Sequence, residues 1–149
     1  MKVTMLGCGY VGLVSGTCFA EFGASVTCFD IDKTRVDALL QGKLPIYEPG
    51  LDTLLEKNVK QGRLSFTDNL NDCIPDSDLI FVAVGTPTRR GDGHADLSYV
   101  YQAVQDIAPF LKGYTVIVDK STVPVGTARN VKRIIAETNL EADFDVASN

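Results

Sequence analysis

The fold of this chain is decided by Gly7-Cys8-Gly9-Tyr10-Val11-Gly12, a glycine-rich stretch that directly follows a short apolar run at 1–6. A helix-like pattern comes after Gly12, and a second apolar run at 25–29 leads into Asp30. Strand, glycine turn, helix, strand and acid, in this order and at this spacing, form the fingerprint of dinucleotide binding. We therefore predict that the chain holds a dinucleotide at the start of its first helix.

Each position of the fingerprint has a physical task. Gly7 permits the tight turn out of the strand, Gly9 lets a pyrophosphate approach the backbone, and Gly12 allows the helix to pack closely on the strand. The free N–H groups and the dipole of the helix N-terminus favour the phosphate charge. Asp30 is placed to accept both hydroxyls of the adenosine ribose and to repel a 2′-phosphate, which predicts NAD rather than NADP as the cofactor.

Composition limits the other classes of function. The 149 residues suit one domain, and 45% hydrophobic residues are enough for a core. A net charge of −5 argues against a nucleic-acid surface. The uncharged stretch at 3–20 is interrupted by four glycines, so we predict neither a signal peptide nor a membrane span. The four cysteines show no CxxC spacing, which predicts free thiols in a cytoplasmic protein. For Cys8, inside the glycine loop, a packing role is favoured over a reactive thiol.

Apolar runs and helix-like patterns alternate along the whole chain. The runs at 79–84 and 116–118 are continuously apolar, as in parallel strands that are buried on both faces. The alternation predicts an α/β fold, a doubly wound parallel sheet of about six strands with helices on both faces. We expect Asp32 and Asp96 to cap the second and fourth helices. Predicted strands lie near 2–7, 25–30, 64–66, 78–84, 114–118 and 143–147, and predicted helices near 10–22, 33–41, 51–61, 69–73, 96–108 and 125–138.

Ligands of such sheets bind beyond the C-terminal ends of the strands. Two segments that mix hydroxyls with proline and glycine follow predicted strands, at 85–88 and 120–127, and there we favour cofactor contact over ordinary turn chemistry. For a third segment, at 45–51, the two interpretations stay equally open. The lone histidine, His94, lies among glycines and charges, which is typical of a solvated loop. Nothing fixes Asp92, His94 and Asp96 as metal ligands, so we predict no metal site.

Four motifs together carry a resemblance to a known family. In chain order they are Gly-Cys-Gly-Tyr-Val-Gly-Leu-Val at 7–14, Pro-Ile-Tyr-Glu-Pro-Gly-Leu at 45–51, Val-Gly-Thr-Pro-Thr at 84–88 and Lys-Ser-Thr-Val-Pro-Val-Gly-Thr at 120–127. The chain resembles the NAD-binding domain of the nucleotide-sugar 6-dehydrogenases, the UDP-glucose/GDP-mannose family. The segment at 89–96 favours the branch that oxidises UDP-glucose to UDP-glucuronate.

The resemblance implies a chemistry and a set of site residues. The family oxidises the sugar C6 alcohol to a carboxylate in two NAD-dependent hydride transfers, with the intermediate held on a cysteine as a thiohemiacetal and then a thioester. The position of Thr122 is linked in the family to placing the water or a proton relay, and it is the one catalytic candidate in this chain. The cofactor-binding residues implied by the fingerprint and the family are Gly7, Gly9, Tyr10, Val11, Gly12, Asp30, Arg35, Thr86, Pro87, Ser121 and Thr122.

The chain ends at Asn149, before the family's substrate loop, central helix and second domain. We therefore expect residues 1–149 to be the NAD-binding Rossmann domain of a longer, cytoplasmic and homodimeric enzyme, and to bind NAD without turning over UDP-glucose. None of the four cysteines stands where the family's nucleophile should be. Other interpretations remain open: another nucleotide sugar such as GDP-mannose or UDP-N-acetylmannosamine, a stand-alone NAD-sensing module, or another Rossmann dehydrogenase.

Overall fold

The computed structural model describes residues 1–89, 91 and 93–149 and contains a six-stranded parallel sheet in the order β3-β2-β1-β4-β5-β6. The chain builds one half of the sheet outward from β1, then returns to its other side with β4. The predicted doubly wound architecture is therefore confirmed. The strands are β1 Lys2–Leu6, β2 Ser25–Phe29, β3 Leu64–Thr67, β4 Leu79–Val82, β5 Thr115–Asp119 and β6 Phe144–Ser148. The helices are α1 Tyr10–Glu21, α2 Lys33–Leu40, α3 Leu51–Lys60, α4 Ser98–Ile107 and α5 Thr127–Thr138, with short 3₁₀ turns at Leu70–Asp72 and Ala108–Phe110.

The sheet is buried on both faces, which explains its continuously apolar strands. In β4, Ile80 and Val82 pack against α4 and α5, whereas Leu79 and Phe81 pack on the opposite side. That opposite layer is built from α1, α2 and α3, which contribute Leu13, Val36, Leu39 and Leu55 among others. Two hydrophobic layers thus hold the strands in a single register.

The register brings the strand ends together at one edge. Leu6 of β1 aligns with Phe29 of β2 and with Val82 of β4, and Val82 aligns in turn with Asp119 of β5. The residues that follow these strands therefore leave the sheet side by side. The sheet reverses its strand order between β1 and β4, and the crevice beyond this point is where open α/β sheets bind ligands.

One helix begins as predicted and two begin differently. Asp32 caps α2 as expected, because its carboxylate accepts the backbone N–H of Arg35 at 3.2 Å. Asp96 does not occupy the N-cap of α4, which was a wrong assignment: Leu97 takes that position, and the Asp96 carboxylate accepts from the Ser98 N–H at 3.0 Å. The helix α5 starts at Thr127 rather than at 125, because Gly126 before it has a left-handed φ of 97°.

Candidate functional site

The glycine loop packs so tightly that two of its glycines cannot carry a side chain. A Cβ on Gly12 would lie 1.8 Å from the carbonyl oxygen of Gly7, and a Cβ on Gly7 would lie 2.7 Å from that of Ala83. Gly7 also has a φ of 104°, which L side chains rarely adopt. A Cβ on Gly9, by contrast, would meet no heavy atom within 4 Å. The loop is therefore closed on its inner side and open at Gly9, the position at which the sequence fingerprint predicts the approach of a phosphate.

Asp30 stands at the end of β2 and is tied to the same loop. Its side chain is almost fully buried, and its Oδ2 accepts the Cys8 backbone N–H at 2.8 Å and the Arg35 guanidinium at 3.0 Å. Its Oδ1 accepts the Asp32 N–H at 2.9 Å. A carboxylate oxygen has two lone pairs, so Oδ1 keeps capacity for a further donor such as a ribose hydroxyl.

The loop and Asp30 open into one cleft of about 550 Å³, which we call the β2 cleft. Of the predicted site residues, Gly7, Gly9, Asp30, Arg35 and Pro87 line it. Its other walls are mostly apolar and come from the end of β2 and the residues after it, the 3₁₀ turn after β3, the residues after β4 and one face of α4. They include Phe29, Ile31, Leu70, Ala83, Val84, Tyr99, Ala103 and Ile107. A mainly apolar cleft with few polar anchors is the usual form of a nucleotide site.

Ser121 and Thr122 line a different cavity, the β5 cleft, of about 520 Å³. This cleft lies at the ends of β5 and β6 beside the first residues of α5. The Ser121 hydroxyl donates to the Val84 carbonyl at 2.8 Å, which fastens the loop after β5 to the loop after β4. Thr86 is half-buried in that neighbouring loop. The predicted site residues are thus distributed over two clefts along the same edge of the sheet.

Tyr10 and Val11 are partly exposed on the first turn of α1. The Tyr10 hydroxyl donates to Glu48 Oε2 at 2.6 Å, and this hydrogen bond, with the Glu48 charge, raises the pKa of Tyr10. The segment at 45–51, whose role the sequence leaves open, therefore lies against the start of α1. Sequence reasoning missed this contact because the two residues are far apart in the chain.

The cysteines do not present a nucleophile to either cleft. Cys8 is fully buried and belongs to the hydrophobic layer formed by α1, α2 and α3, which supports a packing role. Burial raises the pKa of the Cys73 thiol to about 11, and the pKa of Cys28 is also raised, by its contact with Cys8 and by burial. All four thiols are free. A reactive cysteine needs a lowered pKa and access to its substrate, and the buried Cys28 and Cys73 have raised pKa values instead.

The loop with the single histidine contains the two residues outside the described part of the chain, Arg90 and Asp92. The set of possible metal ligands considered from the sequence, Asp92, His94 and Asp96, includes Asp92 and therefore lies partly outside the described residues. His94 is exposed, and its carbonyl accepts the Arg89 N–H at 2.7 Å. Among the residues that the structure describes, no three His, Cys, Asp or Glu side chains are grouped closely enough to hold a metal ion.

Asp119, which sequence reasoning did not single out, is a buried carboxylate in the wall of the β5 cleft. It is 2% exposed, and neither carboxylate oxygen has a hydrogen-bond partner among the described residues. Burial raises the pKa of this carboxyl. The Ser121 N–H acts in the opposite direction, lowering the pKa without reaching hydrogen-bond geometry. An acid directly after the apolar run at 116–118 is the only sequence signal that marks it.

Asp119→Asn is expected to stabilise the protein at neutral pH by about 1 kcal/mol, because it removes an unpaired buried charge. Since the folded state raises the pKa of Asp119, the native protein binds this proton more tightly than the unfolded chain does. The free energy of unfolding therefore falls as the pH rises from the ordinary carboxyl range through the raised pKa. Urea titrations at several pH values should show the gain of the variant at pH 7 and its disappearance near pH 3.5, below the ordinary carboxyl pKa.

The exposed Asp143→Asn serves as the control and should change stability little at either pH. An Asp119→Asn protein that is less stable than the parent at pH 7 would mean that the carboxylate is held by favourable contacts.

The comparisons with known proteins agree with each other. Residues 1–149 match the UDP-glucose/GDP-mannose dehydrogenase family, NAD binding domain. The chain is 61% identical over 149 residues to a UDP-glucose 6-dehydrogenase of Rhizobium meliloti, covering 100% of this chain and 34% of that protein. The chain spans about a third of the length of the curated relatives that it matches.

Two solved structures share the fold closely. A GDP-mannose dehydrogenase from Pseudomonas aeruginosa superposes with a TM-score of 0.94 at 35% identity, over 100% of this chain and 36% of that one. A UDP-glucose dehydrogenase from Pyrobaculum islandicum gives a TM-score of 0.93 at 39% identity, over 99% and 35%. In the described part of the chain, no helix combines the length and apolar character that crossing a membrane requires.

Proposed function

This chain belongs to the UDP-glucose/GDP-mannose dehydrogenase family as its NAD-binding domain, and we propose that it serves the oxidation of UDP-glucose. Its 61% identity to a UDP-glucose 6-dehydrogenase supports this sugar over GDP-mannose, whose dehydrogenase is 35% identical in the structural comparison. Each hydride transfer of that oxidation would reduce one NAD, and two transfers followed by hydrolysis of the thioester by water would convert the alcohol to a carboxylate. The whole enzyme's product would then be UDP-glucuronate.

The observation that carries the cofactor role is the placement of Asp30. Its buried carboxylate receives a backbone N–H of the glycine loop and lines the same cleft as Gly9. We infer that the pyrophosphate lies over Gly9, where the N-terminus of α1 favours negative charge. The adenosine ribose would then reach Asp30 and Arg35, which already form an ion pair at 3.0 Å. The residues present therefore fit the cofactor.

At the nicotinamide end, the loops after β4 and β5 would hold the cofactor and order the site. Thr86 and Pro87 belong to the first loop, and Ser121 and Thr122 to the second. The hydrogen bond from Ser121 to Val84 keeps these loops together, so that they would form one wall. Thr122, which lines the β5 cleft, is our candidate for positioning water or a proton there.

Further features of the whole enzyme follow from the same proposal. The buried Cys8, Cys28 and Cys73 do not suit the nucleophile of the family's chemistry, and the partly buried Cys18 lines neither cleft, so a cysteine elsewhere in the enzyme would supply it. Four free thiols fit a reducing compartment, which supports the cytoplasm as the location. By the family resemblance we also propose that the enzyme is a homodimer acting on a nucleotide sugar.

Binding and turnover test the proposal together. In calorimetry the 149-residue chain is expected to bind NAD and to bind NADP about tenfold or more weakly, because Asp30 would face the 2′-phosphate. NADH absorbance should not rise when NAD and UDP-glucose are supplied together. Equal affinity for the two cofactors would contradict the role of Asp30. Steady NADH production would show that the nucleophile lies within these residues.

A further inference from the structure

One face of α4 forms a wall of the β2 cleft. Tyr99, Gln102, Ala103 and Asp106 recur at intervals of three and four residues, which places them on the same side of the helix. All four line the cleft, whereas Val100 and Val104 point into the core. The helix thus presents two polar side chains, Gln102 and Asp106, to a cleft whose other lining is mainly apolar.

These two side chains are already arranged as a pair. The Gln102 amide donates from Nε2 to Asp106 Oδ1 at 2.8 Å. The amide nitrogen carries a second hydrogen, and the carboxylate keeps Oδ2 and the remaining lone pairs of Oδ1 as acceptors. The pair therefore offers one donor and one acceptor, side by side and with their orientation set by their mutual hydrogen bond. Both residues are exposed, so a ligand in the cleft can reach them.

We propose that Asp106 and Gln102 read the amino edge of the cofactor's adenine, an inference that rests on the proposed binding of NAD. The adenine N6 amino group would donate to the Asp106 carboxylate, and the ring nitrogen N1 would accept from the Gln102 amide. The base itself would lie against the apolar side chains of Ile31, Leu70 and Tyr99, which line the same cleft. Flat apolar surfaces with a few placed polar groups suit a purine base.

The other parts of the β2 cleft are assigned to the ribose and the phosphates, so the part beside Gln102 and Asp106 is the position available to the base. Asp30 and Arg35 occupy the position expected for the adenosine ribose, and Gly9 that for the phosphates. The ribose connects the phosphates to the base, so the base must extend from Asp30 into the remaining part of the cleft. That part is bounded by Ile31 on the side of β2 and by α4 on the other side.

The proposal predicts discrimination between purines that differ at one position. Hypoxanthine carries a carbonyl at C6 and a hydrogen on N1, so its donor and acceptor are the reverse of those of adenine. Its carbonyl oxygen would face the Asp106 carboxylate, and both protein groups would lose their partners. A site built to hydrogen-bond a group rejects the analogue that lacks it. For this solvent-exposed pair we expect about tenfold weaker binding of the hypoxanthine dinucleotide.

Calorimetric titration with NAD and with nicotinamide hypoxanthine dinucleotide tests this directly. The parent chain should prefer NAD about tenfold, and Asp106→Asn should bring the ratio of the two dissociation constants close to one. The amide of the variant offers a donor to the hypoxanthine carbonyl, so affinity for that analogue should hold or improve. A merely structural role of Asp106 would weaken both dinucleotides alike and leave the ratio unchanged.

Gln102→Ala provides a second variant and should also reduce the ratio, and Gln105→Ala is the matched control. Gln105 is an exposed glutamine on the same helix and is not among the residues that line the β2 cleft, so its replacement should preserve the tenfold preference. Equal binding of the two dinucleotides by the parent, or an unchanged ratio in Asp106→Asn, would overturn the adenine assignment while NAD binding stands. Failure of both dinucleotides to bind the parent would overturn the proposed cofactor role itself.

Discussion

Gly12→Ala is expected to abolish measurable NAD binding and to destabilise the protein by about 3 kcal/mol, which corresponds to a fall of roughly 6–12 °C in Tm. The new methyl group would lie 1.8 Å from the Gly7 carbonyl oxygen, far inside van der Waals contact. Gly7 is not free to move away, because its N–H donates to the Phe29 carbonyl at 2.8 Å. Relief therefore requires α1 to shift off the sheet, which would distort the proposed phosphate site. Thermal melts and calorimetry measure the two effects.

Gly9→Ala separates binding from folding. A Cβ at this position meets no atom within 4 Å, and φ is −78°, so we expect stability within about 1 kcal/mol of the parent. NAD affinity should nevertheless fall about tenfold or more, since the methyl group would occupy the space over the loop backbone. Gly113→Ala, at an exposed and unobstructed position far along the chain, should alter neither property. For the Gly12→Ala variant of the preceding paragraph, a Tm equal to that of the parent would contradict the packing argument.

Asp30→Ala is expected to weaken NAD binding by roughly 1.5–3 kcal/mol, the cost of losing a charge-assisted hydrogen bond. The structure adds a second effect, because the same carboxylate also accepts the backbone N–H groups of Cys8 and Asp32. Its removal should therefore lower stability as well as affinity, and calorimetry should be combined with thermal melts. Unchanged NAD affinity in this variant would contradict the ribose assignment.

Asp30→Asn distinguishes the charge of the side chain from its shape. The amide oxygen can still accept one backbone N–H, so the loss of stability should be smaller than in the alanine variant. Repulsion of a 2′-phosphate would disappear with the charge, and the preference for NAD over NADP should shrink toward equality. A variant that keeps the full preference of the parent would show that another residue excludes NADP.

Several features of the fold could be predicted because they depend on neighbours in the chain. Alternating apolar runs and helical patterns predicted six strands and five main helices, and most boundaries lie within two residues of those in the structure. Asp32 was recognised as a cap because an N-cap bonds a backbone N–H three residues ahead. The N-cap of α4 was assigned one residue too early, to Asp96 instead of Leu97, because an Asp side chain also stabilises a turn that precedes a helix.

The candidate site was predictable only in part. The fingerprint identified Gly7, Gly9 and Asp30, and the structure places these three in one cleft; their contact with NAD stays a prediction. The sequence did not indicate that Ser121 and Thr122 line a separate cleft, nor that Tyr10 bonds Glu48. Gln102 and Asp106 also escaped notice, since their spacing is that of any helical surface pair until another element faces them.

By itself, then, the sequence determined the order of strands and helices, the glycine loop and the acid that follows β2, because backbone sterics and hydrophobic periodicity act over a few residues. Only the tertiary structure decided which side chains share a cleft and which lose contact with water. Asp119 shows the difference: its burial without a hydrogen-bond partner among the described residues arises where β5, β6 and the start of α5 meet. Burial and charge pairing depend on distances between remote segments, which exist only once the sheet has formed.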